Sequence, residues 1–302
     1  MSPHGAGDTV DARAASPDQV RGNLAGVGYL ADEGLATALF CAVRLPQPLL
    51  LEGEPGVGKT EAGKALAAVL DTPLIRLQCY EGIDASEALY EWNYPRQLLA
   101  IRLAEASGRS VADADLFTRD FLVARPLLRA IEHPGPRPAV LLIDEVDRAD
   151  DEFEAFLLEL LAESSVTIPE LGTVSAAVPP VVVLTSNRTR DLHDALKRRC
   201  LYHWIDYPGL EQTVAIIRQR VPASTASLAG AVAGAVGRLR TLDIQKPPGI
   251  AEAIDWTVAL DLLGLPALDE SAVAATLGSV LKYREDADTA RQHGLAWVAV
   301  GT

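Results

Sequence analysis

The sequence predicts an α/β protein with a five-stranded parallel sheet, followed by a smaller domain made of helices alone. Over the first two thirds of the 302 residues, short continuous apolar runs alternate with segments of helical spacing. This alternation is typical of buried parallel strands joined by crossover helices. After Tyr207-Pro208-Gly209 the strand-like runs stop and only helical spacing continues. We therefore expect helices on both faces of the sheet and a domain boundary at residue 208.

The predicted elements follow one another in a regular order. Residues 1–20 contain no apolar stretch, so we expect a flexible N-terminus there. The α/β domain is expected over residues 21–208 and the helical lid domain over residues 209–302. Strands are predicted at 48–53, 73–79, 139–145, 179–187 and 201–207. Helices are predicted at 60–70, 152–163 and 192–199, and in the second domain within 209–221, 227–242, 249–264 and 271–285.

Composition and charge narrow the class of protein. Hydrophobic residues make up 49% and charged residues 23% of the chain, so a sizeable core can form. The net charge of -14 repels the phosphates of nucleic acids, so we do not expect a nucleic acid partner. Cys41, Cys79 and Cys200 lie far apart and lack metal-ligand spacing, which indicates a reducing compartment. Because no run of about 18 apolar residues could span a membrane, we expect a cytoplasmic location.

A glycine-rich segment between the first strand and the first long helix carries the strongest motif. It matches the pattern G-x-x-x-x-G-K-[ST] and consists of Gly53, Glu54, Pro55, Gly56, Val57, Gly58, Lys59 and Thr60. In this context backbone amides cradle phosphates, Lys59 contacts the β and γ oxygens, and Thr60 places its hydroxyl on Mg²⁺. The alternative is a glycine-rich turn with a chance lysine. The full match predicts a site for ATP and Mg²⁺.

Two acids follow the third buried strand. Asp144 and Glu145 end this strand, at the sheet edge where ligands bind in α/β proteins. We expect Asp144 to hold the magnesium shell and Glu145 to polarise the water that attacks the γ-phosphate. A helix N-cap is the alternative for the pair. Asp147, shortly after them, is interpreted as a cap at most.

Polar side chains after the fourth strand and before the fifth complete the predicted hydrolysis site. Asn187 ends the fourth apolar run, so its amide could orient the water, although such residues are also common in turns. Arg198 and Arg199 precede the fifth strand, and a guanidinium there could stabilise charge on the phosphate of a neighbouring subunit. We favour Arg199 over Arg198 for this role. The alternative is a cation at a helix C-terminus.

These motifs resemble the AAA+ ATPases of the MoxR group, and within it the CoxD-like branch. The resemblance covers roughly residues 24–265 and is carried by GYLAD (28–32), PLLLEGEPGVGKTE (48–61), LIRLQCYEGIDASEALYEWNYPRQLL (74–99), LLIDEVDRAD (141–150), LTSN (184–187), LKRRCLYHWIDYP (196–208) and KPPGIAEAIDW (246–256). It implies a P-loop NTPase fold of the AAA+ type and a homo-oligomeric ring, usually a hexamer. It also implies that Arg199 reaches the next subunit's nucleotide, and it adds Tyr29, Leu30 and Glu61 to the expected nucleotide contacts.

The resemblance extends to accessory elements and partners. Residues 80–94 resemble an insert in helix 2, with aromatic residues that are more often core than contact, and residues 166–178 resemble a hairpin that precedes the fourth strand. Members of this family commonly act with a von Willebrand type A partner, and the CoxD-like branch matures carbon monoxide dehydrogenase or related molybdenum hydroxylases. One departure is that Lys246-Pro247-Pro248-Gly249 stands where many relatives carry a lid arginine after Ser-Pro. Either Lys246 replaces that arginine, or the nucleotide is coupled to the lid in another way.

Three functions fit the sequence. The first is an ATPase that remodels or matures a client protein. The second is a ring that binds ATP, turns it over slowly and serves as a scaffold for a partner. The third, a small-molecule kinase, is disfavoured because such a kinase needs neither a polar Asn after the fourth strand nor a separate helical lid.

Overall fold

The computed structural model describes residues 12–110 and 112–300. Within these residues the strands are β1 Leu49–Gly53, β2 Leu74–Gln78, β3 Tyr90–Trp92, β4 Leu122–Ala124, β5 Val140–Asp144, β6 Ser165–Ile168, β7 Gly172–Ser175, β8 Val181–Ser186 and β9 Leu201–Ile205. The helices up to β9 are α1 Pro17–Gly26, α2 Glu33–Arg44, α3 Lys59–Leu70, α4 Ala85–Leu89, α5 Tyr94–Ala106, α6 Asp113–Leu116, α7 Pro126–Ile131, α8 Asp151–Glu163 and α9 Asp194–Lys197. After β9 follow α10 Leu210–Arg220, α11 Ala226–Leu239, α12 Ile250–Leu262, α13 Glu270–Val280, α14 Arg284–His293 and α15 Leu295–Val300. Short 3-10 helices lie at Ala12–Ala14, Arg119–Phe121 and Val146–Arg148.

Five strands form the main sheet in the order β2-β5-β8-β1-β9. β2 pairs with β5, β5 with β8, and β8 with β1, all in parallel. Every residue of β1, β5 and β8 is buried, as expected for strands covered on both faces. The edge strand β2 instead alternates between buried and less buried residues. The predicted five-stranded sheet is confirmed, with strand ends within two residues of those expected.

The core of the sheet region lies between the central strands and the helices that cover them. Leu50, Leu141 and Leu184 contribute one buried residue each from β1, β5 and β8, and Phe153 of α8 packs into the same cluster. The side chain of Asp150 accepts the amide N–H of Phe153 at 2.9 Å and so caps the start of α8. The predicted helix at 152–163 is therefore confirmed, and it begins one residue earlier.

Two small antiparallel pairs lie outside the main sheet. β6 and β7 pair as a hairpin, which confirms the hairpin expected within residues 166–178. β3 pairs with β4, a strand that the sequence did not predict. Among the aromatic residues of the insert, Tyr90 and Trp92 pack against the core, whereas Tyr80 and Tyr94 are exposed.

The contacts within the chain define two compact units whose bounds differ from those expected. The first, here called the sheet unit, comprises described residues in 12–23, 33–52 and 63–203. The second, here called the helical unit, comprises 24–32, 53–62 and 204–300. The expected boundary at 208 is thus close for the last segment, but it places 24–32 and 53–62 in the other domain. These two segments pack on residues of the helical unit, and sequence periodicity does not report such contacts.

The helical unit has its own core. Trp256 on α12 is fully buried, and its indole N–H donates to Thr276 Oγ1 at 2.7 Å. Buried aliphatic residues of α11 and α13, among them Val232 and Leu277, surround it. The four helices predicted in this region are confirmed as α10, α11, α12 and α13. α14 and α15 were not predicted.

Two predictions near chain segments of low apolar content are corrected. Part of the expected flexible N-terminus is folded, because α1 begins at Pro17 and both Ala14 and Val20 are fully buried. Residues 1–11 lie outside the described residues. The helix expected at 192–199 spans only Asp194–Lys197. Among residues 12–110 and 112–300, no helix combines the length and apolar character that crossing a bilayer requires.

Candidate functional site

The loop between β1 and α3 turns on three glycines with positive φ. These φ angles are 156° at Gly53, 78° at Gly56 and 99° at Gly58, a region that favours glycine. A Cβ on Gly53 would lie 2.3 Å from the carbonyl oxygen of Ile205, so a side chain does not fit there. The predicted strand-loop-helix arrangement is therefore present, with β1 ending at Gly53 and α3 beginning at Lys59.

The first two residues of α3 are the expected phosphate and magnesium ligands. The Lys59 side chain is buried, and its Nζ donates to the carbonyl oxygens of Gly53 at 2.6 Å and Glu54 at 2.8 Å. The ammonium group is thus held against the loop backbone. Thr60 is half-buried. The N-terminal amides of α3 add a partial positive charge at this point, which favours a bound anion.

The segment before α2 contributes Tyr29 to the loop. Its hydroxyl donates to the Gly58 carbonyl oxygen at 3.4 Å. Burial, followed by the charges of Asp32 and Glu61, raises the pKa of Tyr29 above its usual range, so the phenol stays neutral. The carbonyl oxygen of Leu30 accepts a hydrogen bond from Gln212 of α10 at 2.9 Å, which ties the segment of Tyr29 to that helix.

Glu61 follows Thr60 in the first turn of α3. Its carboxylate pairs with Arg220 of α10 at 3.2 Å. Both side chains are more than 40% exposed, so the pair adds little to stability. Glu61 therefore sits next to the loop and faces α10.

The start of α12 packs directly on the phosphate loop. Ile250 donates its amide N–H to the Gly56 carbonyl oxygen at 2.9 Å. Glu252 caps the helix by accepting the Gly249 N–H at 2.9 Å. Lys246 is exposed, and its backbone amide is bound to Asp286 at 3.1 Å. Within the helical unit, backbone atoms of residues 249 and 250 thus contact the backbone of the phosphate loop at Gly56.

Asp144 ends β5 as a buried carboxylate with donors on both oxygens. Thr185 on β8 donates its hydroxyl to Oδ1 at 2.5 Å. Arg76 on β2 donates to Oδ2 from Nε at 3.0 Å and from Nη2 at 2.5 Å. The two neighbouring strands therefore fix the orientation of this acid.

Glu145 follows in a left-handed backbone conformation, with a φ of 55°. Its amide N–H donates to Thr185 Oγ1 at 2.9 Å, which links it to the same hydroxyl that binds Asp144. Its carboxylate accepts a hydrogen bond from Gln78 at 3.1 Å and lies 3.5 Å from Arg148. Glu145 thus adopts a backbone conformation that residues other than glycine rarely take, and such conformations are often found at functional sites.

Asn187 is held in place by Asp147, which was interpreted as a cap at most. Oδ2 of Asp147 accepts the amide N–H of Asn187 at 3.2 Å, the N–H of Thr189 at 2.8 Å and its hydroxyl at 2.7 Å. Asp147 is 1% exposed, and its Oδ1 has no hydrogen-bond partner among the described residues. The carboxylate thus ties the turn after β5 to the turn after β8.

Arg198 and Arg199 lie just beyond the end of α9 and are exposed. Arg199 donates to the carbonyl oxygen of Leu158 at 3.2 Å. The amide of Leu201 binds the Pro48 carbonyl oxygen at 2.8 Å, so β9 begins beside the start of β1. Both arginines therefore lie next to the amino-terminal end of β9, whereas Asp144 and Glu145 lie at the carboxyl-terminal end of β5.

The structure groups the predicted residues into two sets. In the helical unit, Tyr29, Leu30, the phosphate loop and Glu61 lie together; in the sheet unit, Asp144, Glu145 and Asn187 do. Four contributors were missed, namely Arg76, Gln78, Thr185 and the positioning role of Asp147. The polar residues that alternate along β2 were a usable signal, because residues two apart share one face of a strand.

The oxygen donors present suit magnesium. A carboxylate and a threonine hydroxyl are hard ligands, and Mg²⁺ is usually bound by one or two carboxylates together with phosphate oxygens and water. The Asp144 carboxylate in the sheet unit and the Thr60 hydroxyl in the helical unit are donors of this kind, and a bound Mg²⁺ would supply positive charge against phosphate.

A parallel sheet of order β2-β5-β8-β1-β9, a glycine loop that leads into a lysine-bearing helix, and two acids ending β5 define a P-loop NTPase of the AAA+ type. Residues 48–200 match the family described as AAA domain (dynein-related subfamily). The match covers just over half of the 302 residues, and the chain belongs to this family.

The curated relatives share only about a quarter of their aligned residues with this chain. Uncharacterized proteins of Staphylococcus aureus strains USA300 and NCTC 8325 are each 26% identical over 178 residues, which is 57% of this chain and 59% of theirs. The chain thus spans about three fifths of the length of the relatives that it matches.

Solved structures give a fold-level comparison. The RuvB Holliday junction branch migration motor of Thermotoga maritima is 15% identical, with a TM-score of 0.47 over 82% of this chain and 68% of that chain. Domain III of the replication initiation protein DnaA of the same organism is 14% identical, with a TM-score of 0.48 over 84% of this chain and 95% of that chain.

Proposed function

We propose that this chain binds and hydrolyses ATP with Mg²⁺ and uses the energy to remodel or mature a client protein. Family membership supports the ATPase activity. The observation that carries the proposal is the strand-loop-helix turn at 53–60, with a buried lysine whose ammonium lies against the loop backbone. Such a turn, at a helix N-terminus, is built to bind phosphate.

The position of the acids supports the hydrolytic part of the proposal. β1, β5 and β8 run parallel, so Glu52, Asp144 and Ser186 share one edge of the sheet. The phosphate loop leaves β1 directly after Glu52. We assign magnesium to Thr60 and Asp144, activation of water to Glu145, and orientation of that water to Asn187.

A ring, expected to be a hexamer, is part of the proposal. Arg199 is exposed and lies next to the amino-terminal end of β9, whereas the acids of its own chain lie at the carboxyl-terminal end of β5. A guanidinium in that position suits an interface in which the arginine meets the nucleotide of the next subunit. We assign this role to Arg199, with Arg198 as the second candidate.

The partner and the client come from the resemblance to the CoxD-like branch of the MoxR group. On that basis we propose a von Willebrand type A protein as partner, and a molybdenum hydroxylase of the carbon monoxide dehydrogenase type as client, in the cytoplasm. The three cysteines, all within the described residues, are free thiols, which suits a reducing compartment.

The test compares four full-length proteins for binding of a fluorescent ATP analogue and for phosphate release with Mg²⁺. Lys59→Ala should abolish binding, and Glu145→Gln should keep binding while lowering turnover by about 10²–10⁴-fold. Lys64→Ala, on the exposed face of the same helix α3, is the matched control and should behave as wild type. Nucleotide binding that survives Lys59→Ala would contradict the proposal.

The alternative is a ring that needs ATP for assembly and holds a partner, with slow turnover. The same Glu145→Gln variant separates the two functions in cells. A remodelling enzyme should lose its cellular function in this variant, whereas a scaffold should retain it. Transfer of labelled phosphate from ATP to a small acceptor would instead indicate a kinase.

A further inference from the structure

Arg76 occupies one oxygen of the carboxylate that is expected to bind magnesium. Its guanidinium donates to Asp144 Oδ2 from Nε at 3.0 Å and from Nη2 at 2.5 Å, while Thr185 donates to Oδ1. An arginine that donates twice to one carboxylate is a strong partner, because both groups are charged. Any cation that binds this oxygen must therefore compete with Arg76 or share the oxygen with it.

The two members of the pair differ in their freedom to move. The Asp144 side chain is 3% exposed and ends a fully buried strand, whereas the Arg76 side chain is 45% exposed. Arg76 also donates to Gln78 Oε1 at 2.5 Å, two residues further along the same face of β2. A long side chain at an exposed edge strand can swing into solvent, so Arg76 is the member that can leave.

The negative charges around Asp144 explain why the guanidinium of Arg76 lies beside it. The neighbouring Cys79 thiol is 1% exposed, and its pKa is raised to about 12 by burial, followed by the charges of Asp144, Asp147 and Glu145. Three carboxylates thus act on one small region of the sheet edge. A buried carboxylate without a counter-charge is strongly destabilising, and Arg76 supplies that charge to Asp144.

We propose that Arg76 and Mg²⁺ are alternative partners of Asp144 Oδ2, so that Arg76 sets the magnesium concentration at which the site fills. This inference rests on the proposed function, in which Asp144 is a magnesium ligand. Arg76 is a positioning residue in this scheme. It supplies a counter-charge to Asp144 and orients its carboxylate before the metal arrives, and it swings into solvent when the metal binds.

The experiment measures the Mg²⁺ concentration that gives half-maximal binding of a fluorescent ATP analogue to the full chain. The variants are Arg76→Gln, which removes the charge, and Arg76→Lys, which keeps the charge but loses the two-donor geometry. Arg137→Gln is the matched control, because Arg137 is 41% exposed, pairs with Asp71 and precedes the start of β5, the opposite end of that strand from Asp144. A second readout is the shift in melting temperature caused by MgCl2 without nucleotide.

We expect Arg76→Gln to lower the Mg²⁺ midpoint about tenfold, Arg76→Lys to lower it about threefold, and Arg137→Gln to leave it unchanged. MgCl2 alone should stabilise Arg76→Gln more than wild type. A midpoint for Arg76→Gln within twofold of wild type, or above it, overturns the inference. If Arg76→Gln does not fold, the same criterion applies to Arg76→Lys.

The two proposals fail in different ways. Wild-type protein that binds no ATP analogue at any Mg²⁺ concentration would overturn the proposed function, and the MgCl2 melting shifts would then still decide the competition at Asp144. Normal binding by wild type, with equal midpoints and equal melting shifts in the Arg76 variants, would overturn the competition alone.

Discussion

Gly249 and Gly56 touch through their backbones, since a Cβ on Gly249 would lie 2.8 Å from both the Cα and the carbonyl oxygen of Gly56. The amide of Ile250 binds that same carbonyl oxygen. The phosphate loop and the first turn of α12 therefore cannot change conformation independently.

Gly249→Ala should consequently weaken nucleotide binding about tenfold. The added methyl group meets backbone atoms that cannot rotate away, so either the loop or α12 must shift, at a cost of about 1–3 kcal/mol. Gly230→Ala, in α11, is the control, because a Cβ there has no atom within 4 Å. Titration of a fluorescent ATP analogue measures the effect, and equal affinities for the two variants would show that the backbone contact is unimportant.

Asp147→Ala should destabilise the fold by about 2–4 kcal/mol and slow hydrolysis. The substitution leaves the amides of Asn187 and Thr189 without their acceptor, and each hydrogen bond that is lost from this partly buried pair costs about 1–2 kcal/mol. Asp147→Asn keeps an acceptor oxygen for these donors but places an amide NH₂ where Oδ1 is buried without a partner among the described residues, so this variant should lose less stability than Asp147→Ala without matching wild type. Urea unfolding and phosphate release measure the two effects. Similar losses in both variants would mean that charge, rather than the acceptor, is what matters.

Cys79 should react slowly with iodoacetamide in the native protein. Its pKa is raised from 9.0 to about 12, chiefly by burial, so at pH 9 only ~0.1% is thiolate instead of about half. Since the folded state holds this proton more tightly, the thiol's contribution to stability is complete below pH 9 and is lost as pH rises towards 12. Peptide mass spectrometry at pH 9, with and without urea, measures the labelling. Fast native labelling of Cys79 would contradict the buried position.

Thr276→Val should destabilise the helical unit by about 1–3 kcal/mol. The buried indole N–H of Trp256 loses its acceptor, while the shape of the core is nearly kept. Adding Thr276→Val to Trp256→Phe should cost less than adding it to wild type, because no indole N–H is then left unsatisfied. Urea unfolding of the four proteins gives this double-mutant cycle, and strict additivity would argue against the hydrogen bond.

Mixing two inactive variants should restore hydrolysis if Arg199 acts on a neighbouring subunit. Arg199→Ala chains retain Glu145, and Glu145→Gln chains retain Arg199. In a random equal mixture, about a quarter of the head-to-tail interfaces combine both intact residues. Phosphate release by the mixture should therefore reach about a quarter of the wild-type rate. A mixture as inactive as its components would place both residues in one chain's own site.

The main sheet was predictable because its strands are buried on both faces. β1, β5 and β8 appear in the sequence as unbroken apolar runs bounded by polar residues. Helices α10 to α13 were likewise visible through apolar spacing. α14 was not, because its segment REDADTARQH is almost entirely polar and buries only Asp286 and Ala290. Helices of this kind form through tertiary contacts that periodicity does not show.

The motif residues of the site were also predictable, but the side chains that hold them were not. Arg76 and Gln78 reach the acids because β2 lies next to β5, although 61 residues separate the ends of these strands at Val140 and Gln78. Strand order is a property of the folded sheet, and a single sequence contains no direct record of it. Asp147 was undervalued for the same reason, since its partners come from the turn after β8.

The phosphate loop and the first turn of α3, together residues 53–62, share their compact unit with the helices after β9 and not with strand β1, from which the loop emerges. The C-terminal third of the chain and the phosphate loop therefore belong to the same compact unit. A polypeptide cut at residue 208 would keep the phosphate loop, Asp144, Glu145 and Asn187 and yet lose the part of the helical unit that packs on the loop, so it should bind nucleotide poorly. Chimaeras that exchange lids between relatives would have to transplant residues 24–32 and the loop along with the lid.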